Sequence, residues 1–521
     1  MTTADPSSSG RPDPGLEQQV VSRRDLAFVM VALLIAMLLA ALDQVIFATA
    51  LPTIVGDLGG VDQMLWVTTA YLLAATIMMP IYGKLGDLIG HKVLFLGALV
   101  AFLSGSVLGG LAHNMAVLVA ARAVQGLGGG GLMILSMAII ADIVPPRQRG
   151  TYMGIMGGAW SVSSVLGPIL GGWFADSIGW RWAFWFNLPL AVLAVVAASA
   201  FLKMPAQKRD RPTVDVIGIA TMAISVTAII LVTSWGGREY PWDSPTILGL
   251  VGIAVAFATF FVLAERRAVH PVIPLHLFGD RNFNLSTAGG LFLSIAMFGV
   301  IAYLPSYLQM VGGLSATKSG LLLAPMSAGI LITSVGSGAL ASRTGRYKWM
   351  PIASCVIVGV GLFLLSTMAV DDPLWKAGVY IFICGAGTGL SFQIVVLIVQ
   401  NAFPLSEVGT ATAGNIFFRQ IGAAIGSAAV GTVFTKRLMD LLGERLVSAA
   451  AGSGMPVDPN SLTPALVNQL PEELKNAVVS SYSEALTPVF LYLLPLMALG
   501  VVLFLFVKEK PLADSHDMPA E

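Results

Sequence analysis

Residues 157–172 read GGAWSVSSVLGPILGG, inside an apolar segment at 150–172 that is long enough to cross a bilayer. Gly154 and Gly158, and then Gly157, Ser161, Ser164, Pro168 and Gly172, fall near helical spacing. Much of one side of this helix therefore carries almost no side chain. In lipid, small residues let helix backbones approach closely. Pro168 removes a backbone donor and bends the helix. Spacing alone leaves two readings open: an ordinary packing surface, or a bent seam that must stay tight against a neighbour.

The rest of the chain supplies the setting. Its 521 residues are 56% hydrophobic and 11% charged, with a mean hydropathy of +0.81. A soluble domain carries about a quarter charged residues, so the composition is that of an integral membrane protein. Apolar runs of spanning length recur at 26–51, 64–82, 93–112, 116–140, 150–172, 182–202, 214–234, 246–264, 284–308, 319–341, 350–369, 376–400, 410–434 and 485–507. They are continuous rather than alternating, which predicts helices and not a β-barrel. The fold class expected is an all-α polytopic membrane protein.

Several functions are disfavoured. Formal net charge is zero, so nothing suggests a nucleic-acid partner. Cys355 and Cys384 form no CxxC, and the five histidines show no ligand spacing, so neither a metal nor another cofactor is expected. The glycine run 126–131 lacks the Lys of a phosphate-binding loop. No nucleophile–base set is visible, so an enzyme is not expected.

Positive charge sets the orientation. With the N-terminus inside, nineteen Lys and Arg lie on cytoplasmic segments and eight on outside ones, four of these in 435–484; Arg122 and Arg419 sit within spans. Both termini are expected in the cytoplasm of a plasma (bacterial inner) membrane protein. Residues 1–22 are polar and rich in Pro, Ser and Gly, as in a disordered tail. They do not read as a signal peptide, because the run from Leu26 is too long and no cleavage site follows.

A weak repeat divides the chain. Gly83, Leu85 and Gly90 recur as Gly338, Leu340 and Gly345; Gly126, Gly128, Pro145, Gly150 and Thr151 recur as Gly385, Gly387, Pro404, Gly409 and Thr410. This predicts a duplicated six-helix unit of the kind that rocks about a midplane site. The expected division is a tail (1–25), a first bundle (26–202), a linker with two extra helices (203–283), a second bundle (284–507) with a long outside loop (435–484), and a tail (508–521).

The motifs resemble the major facilitator superfamily, and within it the fourteen-helix drug:proton antiporters (the EmrB/QacA-like group). GKLGDLIGHK at 83–92 is similar to the loop signature between helices two and three, and LVAARAVQGLGGG at 118–130 to the helix-four motif. Residues 157–172 resemble the helix-five antiporter motif, carried here by Gly158, Gly167, Pro168 and Gly171. LDQVIFATALP at 42–52, WRWAFWFNLP at 180–189 and FFRQIGAAIG at 417–426 are similar to motifs of helices one, six and thirteen. The resemblance implies two six-helix bundles with two extra transmembrane helices between them. It also implies proton-coupled export of hydrophobic, often cationic compounds. Export of an endogenous lipid or metabolite, or a non-transporting receptor on this fold, stays open. The partners expected are amphiphilic small molecules, protons and lipid, with the chain a monomer.

A charge in hydrocarbon costs about 2.5–3.5 kcal/mol on insertion scales. Asp43 is the carboxylate well inside a predicted span, about nine residues, or roughly 13 Å, before Pro52. Arg122 lies at a broadly similar depth in helix four. Asp43 is expected to carry the exchanged proton and Arg122 to tune it; a purely structural pair is the competing reading. Arg419 lies near mid-depth in helix thirteen, where two readings stand equal: it holds a carboxylate, a carbonyl or an anionic part of a substrate, or it simply bonds neighbouring backbone carbonyls. Gln125, Gln393 and Asn415 can face a central cavity, and Trp160, Tyr303, Phe392 and Phe417 can offer aromatic surface, unless they merely pack. At the cytoplasmic mouth the resemblance implies a latch of ion pairs, with Gly83, Asp87, Gly90, Asp142 and Arg149 its parts. Ser342 stands in the second half where Asp87 stands in the first, which leaves an equivalent ionic latch there in doubt.

Overall fold

The computed structural model describes residues 23–513 except 61–62, 203–214, 238, 315, 454–463 and 468. Fourteen helices in it are long and apolar enough to cross a membrane. In the first half these are α1 (Arg24–Leu58), α2 (Met64–Ile89), α3 (His91–Gly110), α4 (Met115–Ile143), α5 (Pro146–Ile178) and α6 (Trp182–Phe201). Two extra helices follow, α7 (Val216–Trp235) and α8 (Pro245–Glu265). The second half holds α9 (Arg281–Met310), α10 (Lys318–Thr344), α11 (Trp349–Ser366), α12 (Leu374–Gln400), α13 (Leu405–Arg445) and α14 (Glu472–Leu505). The tail expected at 1–22 lies outside the described residues.

Local chemistry sets the helix ends. Asn114 accepts from Val117 N at 2.9 Å to cap α4, and Asp280 accepts from Phe283 N at 2.8 Å to cap α9. Gly90 after α2 and Gly345 after α10 take φ of +99° and +70°, where a side chain would be strained. They are matched members of the sequence repeat, so the two halves turn the same corner with the same residue.

The bundles meet along two seams, α2 on α13 and α5 on α10. The extra helix α7 packs on both α2 and α13, and α8 packs on α7. Only 11% of the apolar window of α8 is buried, so its other sides face lipid. Helix α12 is interrupted at Gln393, between segments Leu374–Phe392 and Ile394–Gln400.

One segment differs from expectation. Residues 435–484 are not one long loop. The helix of α13 runs on from Val408 to Ser453, and α14 begins at Glu472. At 1.5 Å per residue, 46 residues far exceed a hydrocarbon core of about 30 Å. The extension persists because α13 and α14 pair outside the membrane. Leu438 and Leu442 share a buried cluster there with Leu474 and Val478, and Arg445 bonds Ser480 at 3.0 Å and Glu484 at 2.5 Å. Average hydropathy falls at Lys436, but the helix continues to Ser453.

Beyond α14 the chain forms a strap. Asn282 and Lys508 exchange two hydrogen bonds at 2.8 and 2.9 Å. Tyr347 Oη donates to Lys510 O at 2.8 Å, and burial pushes this phenol above its ordinary range, so it stays a donor. Farther on, Ala513 O accepts from Arg147 N at 3.1 Å, which carries the strap from the second bundle to the first.

Candidate functional site

Within the first bundle, α1, α3, α4 and α6 each bring a polar side chain to one point. Asp43, Ser106, Arg122, Gln125 and Asn187 all have 0% exposure. Arg122 Nη1 donates to Asp43 Oδ2 and, at 2.8 Å, to Gln125 Oε1. Asp43 Oδ1 accepts from Gln125 Nε2 and Asn187 Nδ2, each at 3.1 Å. Gln125 Nε2 also donates to Ser106 Oγ at 2.8 Å. The guanidinium lies between the rings of Phe47 and Tyr71, 4.3 Å from each centroid. Gly105 makes the network possible: a Cβ there would lie 2.6 Å from Gln125 Cγ.

The expected pair thus exists, with two partners that sequence alone does not single out. Ser106 is one hydroxyl in an apolar helix and carries no signal. Asn187 carries one, as an amide inside a span. Removing one member of a buried pair costs about 3–5 kcal/mol, so a proton on Asp43 is a large perturbation. Arg122 Nη2 has no hydrogen-bond partner among the described residues, so it can take a new acceptor if the pair parts.

A second feature lies between the bundles. Trp160 and Gly157 of the first bundle face Ser294, Met297, Phe392 and Arg419 of the second around a chamber of about 40 Å³. That holds a few waters at most, so a drug-sized solute requires the bundles to part. Arg419 Nη1 donates to Phe392 O at 3.0 Å, and its guanidinium carbon sits 3.8 Å from the Phe392 ring centroid. Phe392 directly precedes the break in α12, which frees backbone groups at that point.

Trp160 and Arg419 stand where a cavity reading puts them. Gln393 lies beside the chamber, against Gly157, with neither amide atom hydrogen-bonded among the described residues. Four other expected wall residues are elsewhere. Gln125 belongs to the Asp43 network. Tyr303 packs on Phe434, with ring centroids 5.6 Å apart. Asn415 donates to Thr287 Oγ1 at 3.1 Å, one turn from Arg419 toward the cytoplasm. Phe417 sits two residues from Arg419, about 200° round the helix, and joins a cluster with Ile81 and Phe283.

The cytoplasmic mouth is closed by both seams. On α2, Asp87 reaches the start of the α13 helix and accepts from Gly409 N at 3.0 Å, Thr410 N at 2.7 Å and Thr410 Oγ1 at 2.5 Å. A carboxylate at a helix N-terminus is stabilised by free N–H groups and by the dipole. His91 stands behind it, with Nδ1 2.6 Å from Asp142 Oδ2 and Nε2 3.4 Å from Asp87 Oδ1. Gly83 lets α13 approach, since a Cβ there would lie 2.7 Å from Gly409 O. The expected latch of ion pairs is corrected in one respect: Arg149 does not join it. Its Nε and Nη2 donate to Val144 O at 3.0 Å and Ala141 O at 2.7 Å, closing the end of α4. The bond across the bundles runs from a carboxylate to a helix end.

The small-residue stripe of α5 serves two neighbours. Toward the cytoplasm it meets α10: a Cβ at Gly150 would lie 2.8 Å from Gly338 O, and one at Gly158 2.7 Å from Leu331 Cδ1. Toward the outside it meets α1: a Cβ at Gly167 would lie 2.6 Å from Val45 Cβ, and one at Gly171 2.8 Å from Ile46 O. Pro168 lies within that outer contact, and Gly172 faces open space.

Known proteins resemble this chain along almost its whole length. The family model described as Major Facilitator Superfamily matches residues 33–427. An uncharacterized MFS-type transporter of Mycobacterium tuberculosis is 42% identical over 95% of this chain and 71% of its own length. Multidrug transporter protein MdtP of Bacillus subtilis is 36% identical over 95% of this chain and 94% of its own. Among solved structures, the proton:xylose symporter XylE superposes with a TM-score of 0.59 at 15% identity, covering 94% of this chain and 98% of that one. The human organic anion transporter MFSD10 gives 0.60 at 16%, covering 90% and 99%. At such identities the likeness is one of fold alone.

Proposed function

This chain belongs to the major facilitator superfamily, and on that premise we propose that it is a proton-coupled antiporter that exports amphiphilic compounds by alternating access. It is a multi-pass membrane transporter and not an enzyme. The reading places it in the bacterial inner membrane with both termini in the cytoplasm, as the distribution of Lys and Arg favours.

The observation that carries the proposal is the fully buried Asp43–Arg122 pair with its Gln125 and Asn187 donors. A proton on Asp43 removes the anion that Arg122 faces and leaves an uncompensated cation inside the first bundle. The bundle must then rearrange or let water in, which ties protonation to helix position. The network lies apart from the chamber, so proton and solute act on each other through the helices between them. Relatives named as a multidrug transporter, a multidrug resistance protein and an efflux pump support export as its direction and varied drugs as its cargo.

Flux in proteoliposomes under an imposed pH gradient tests this, with anionic, neutral and cationic fluorescent amphiphiles. Gradient-driven export is expected for at least one. Asp43→Asn keeps the volume of the site while removing the titratable carboxylate and turning one of its two acceptor atoms into a donor. It should abolish gradient-driven accumulation and leave downhill exchange. Full accumulation by that variant, in correctly inserted protein, refutes the assignment.

A further inference from the structure

We infer that the solute this chamber selects is an amphiphile with an anionic head, a carboxylate above all, seated on Arg419. The inference rests on the transport reading and concerns the same chamber.

Charge on the wall is the first ground. Of the residues lining the chamber, Arg419 alone is charged, and none is Asp or Glu. The buried acid nearest in function, Asp43, is sealed inside the first bundle by its own partners. An incoming cation therefore meets a like charge with no acid to neutralise it.

The second ground is what Arg419 lacks. It is 8% exposed and has no carboxylate partner among the described residues. Its one described hydrogen bond goes from Nη1 to Phe392 O at 3.0 Å. A guanidinium has five N–H donors in a planar fork that fits a carboxylate with two parallel bonds. A nearly buried cation without a counter-ion gains from an anion that a solute supplies.

The aromatic face is the third. The ring of Phe392 already carries the Arg419 guanidinium at 3.8 Å, so one of its faces is taken by a cation and a second cation there would meet a like charge. Trp160 stays on the opposite wall as a platform for an apolar body. Gln393 adds an amide whose Nε2 and Oε1 have no hydrogen-bond partner among the described residues at 1% exposure, next to the broken backbone. Met297 and Met326 line the same space and adapt to varied tails. Together they describe a fixed cationic anchor for an anionic head and a tolerant hydrophobic remainder.

Binding of three pyrene probes to the purified full-length protein in nanodiscs tests this: pyrenebutyrate, pyrenebutanol and a pyrenebutyl trimethylammonium salt. The carboxylate is expected to bind about ten-fold or more tighter than either other probe, as a charge-assisted fork implies. Arg419→Gln should bring the three probes within about three-fold of one another, while Arg419→Lys keeps part of the preference as a point charge. Equal or tighter binding of the ammonium probe to the native protein overturns the inference, whatever the variants do. So does a carboxylate preference that survives in Arg419→Gln. No gradient is applied, so carboxylate selectivity without gradient-driven flux sinks the proton-export reading alone. Gradient-driven export of the ammonium probe in preference to the carboxylate sinks this inference alone.

Discussion

Where α2 meets α13, Asp87 takes three donors from Gly409 and Thr410, with His91 and Asp142 ranked behind it. Where α5 meets α10, the matching residue is Ser342, whose hydroxyl takes one N–H, that of Thr151, at 3.0 Å. Thr151 and Thr410 are matched in the repeat, so an acceptor on one helix meets the same point of its partner in both halves. Glycines set both approaches, Gly83 beside Gly409 and Gly338 beside Gly150. The plan is shared and the charge is not. Hydrogen bonds to a charged group contribute about 1.5–3 kcal/mol, against about 0.5–1.5 for neutral ones, so polar stabilisation of the closed mouth is concentrated on the α2–α13 seam. The neutral seam is longer instead, running outward to Ser164 and Ser327, whose hydroxyls are 2.6 Å apart. One seam is a latch at its end; the other is a surface in contact along its length.

The largest expected effect tests the shared part. Gly83→Leu and Gly150→Leu each drive a side chain into partner backbone that has no slack. Overpacking of this kind costs about 1–3 kcal/mol, and more where backbone cannot give, so the shift away from the closed state reaches about 100-fold at the upper end of that range. Electron–electron distance measurements between spin labels on the cytoplasmic ends of α2 and α13, and of α5 and α10, should show both variants open at the mouth and transport near zero. A variant that still closes would show that its seam does not depend on glycine.

Next in size is the part that differs. Asp87→Asn keeps the shape of the latch but loses its charge and one acceptor, for a loss of about 2 kcal/mol, or roughly 30-fold toward the open mouth. Ser342→Ala removes one neutral bond and should shift the same equilibrium by a few-fold. Equal shifts in the two variants would erase the distinction between latch and surface.

The fold was legible because spans, punctuating glycines and repeat all act locally. Gly90 and Gly345 mark matched turns in the sequence itself. The Asp43–Arg122 pair was legible too, because hydrocarbon makes each intramembrane charge demand a partner. The cavity wall was less so. Asn415, Phe417 and Arg419 lie within four residues of one another, yet only Arg419 reaches the chamber, and helix rotation and depth decide which. Arg149 illustrates a second limit: a cation seven residues after Asp142 is satisfied instead by the carbonyls ending its neighbouring helix. The extension of α13 past Lys436 illustrates a third, since hydropathy registers the end of the membrane and not the end of the helix.

The smallest expected effect concerns the strap, which crosses on the side of the neutral seam. Glu509 Oε1 accepts from Tyr347 N at 2.7 Å and Lys348 N at 3.0 Å, capping the start of α11 in the second bundle. From that anchor the chain reaches Ala513, whose carbonyl takes Arg147 N at the start of α5 in the first. The strap therefore gives the weaker closure a backbone bond that the charged latch does not have. Glu509→Ala, or removal of residues 511–521, should loosen the α5–α10 label pair by about 0.5–1.5 kcal/mol and leave the α2–α13 pair in place. Movement of both pairs by the same amount would make the strap a clamp on the whole mouth, and the asymmetry between the seams would then rest on Asp87 alone.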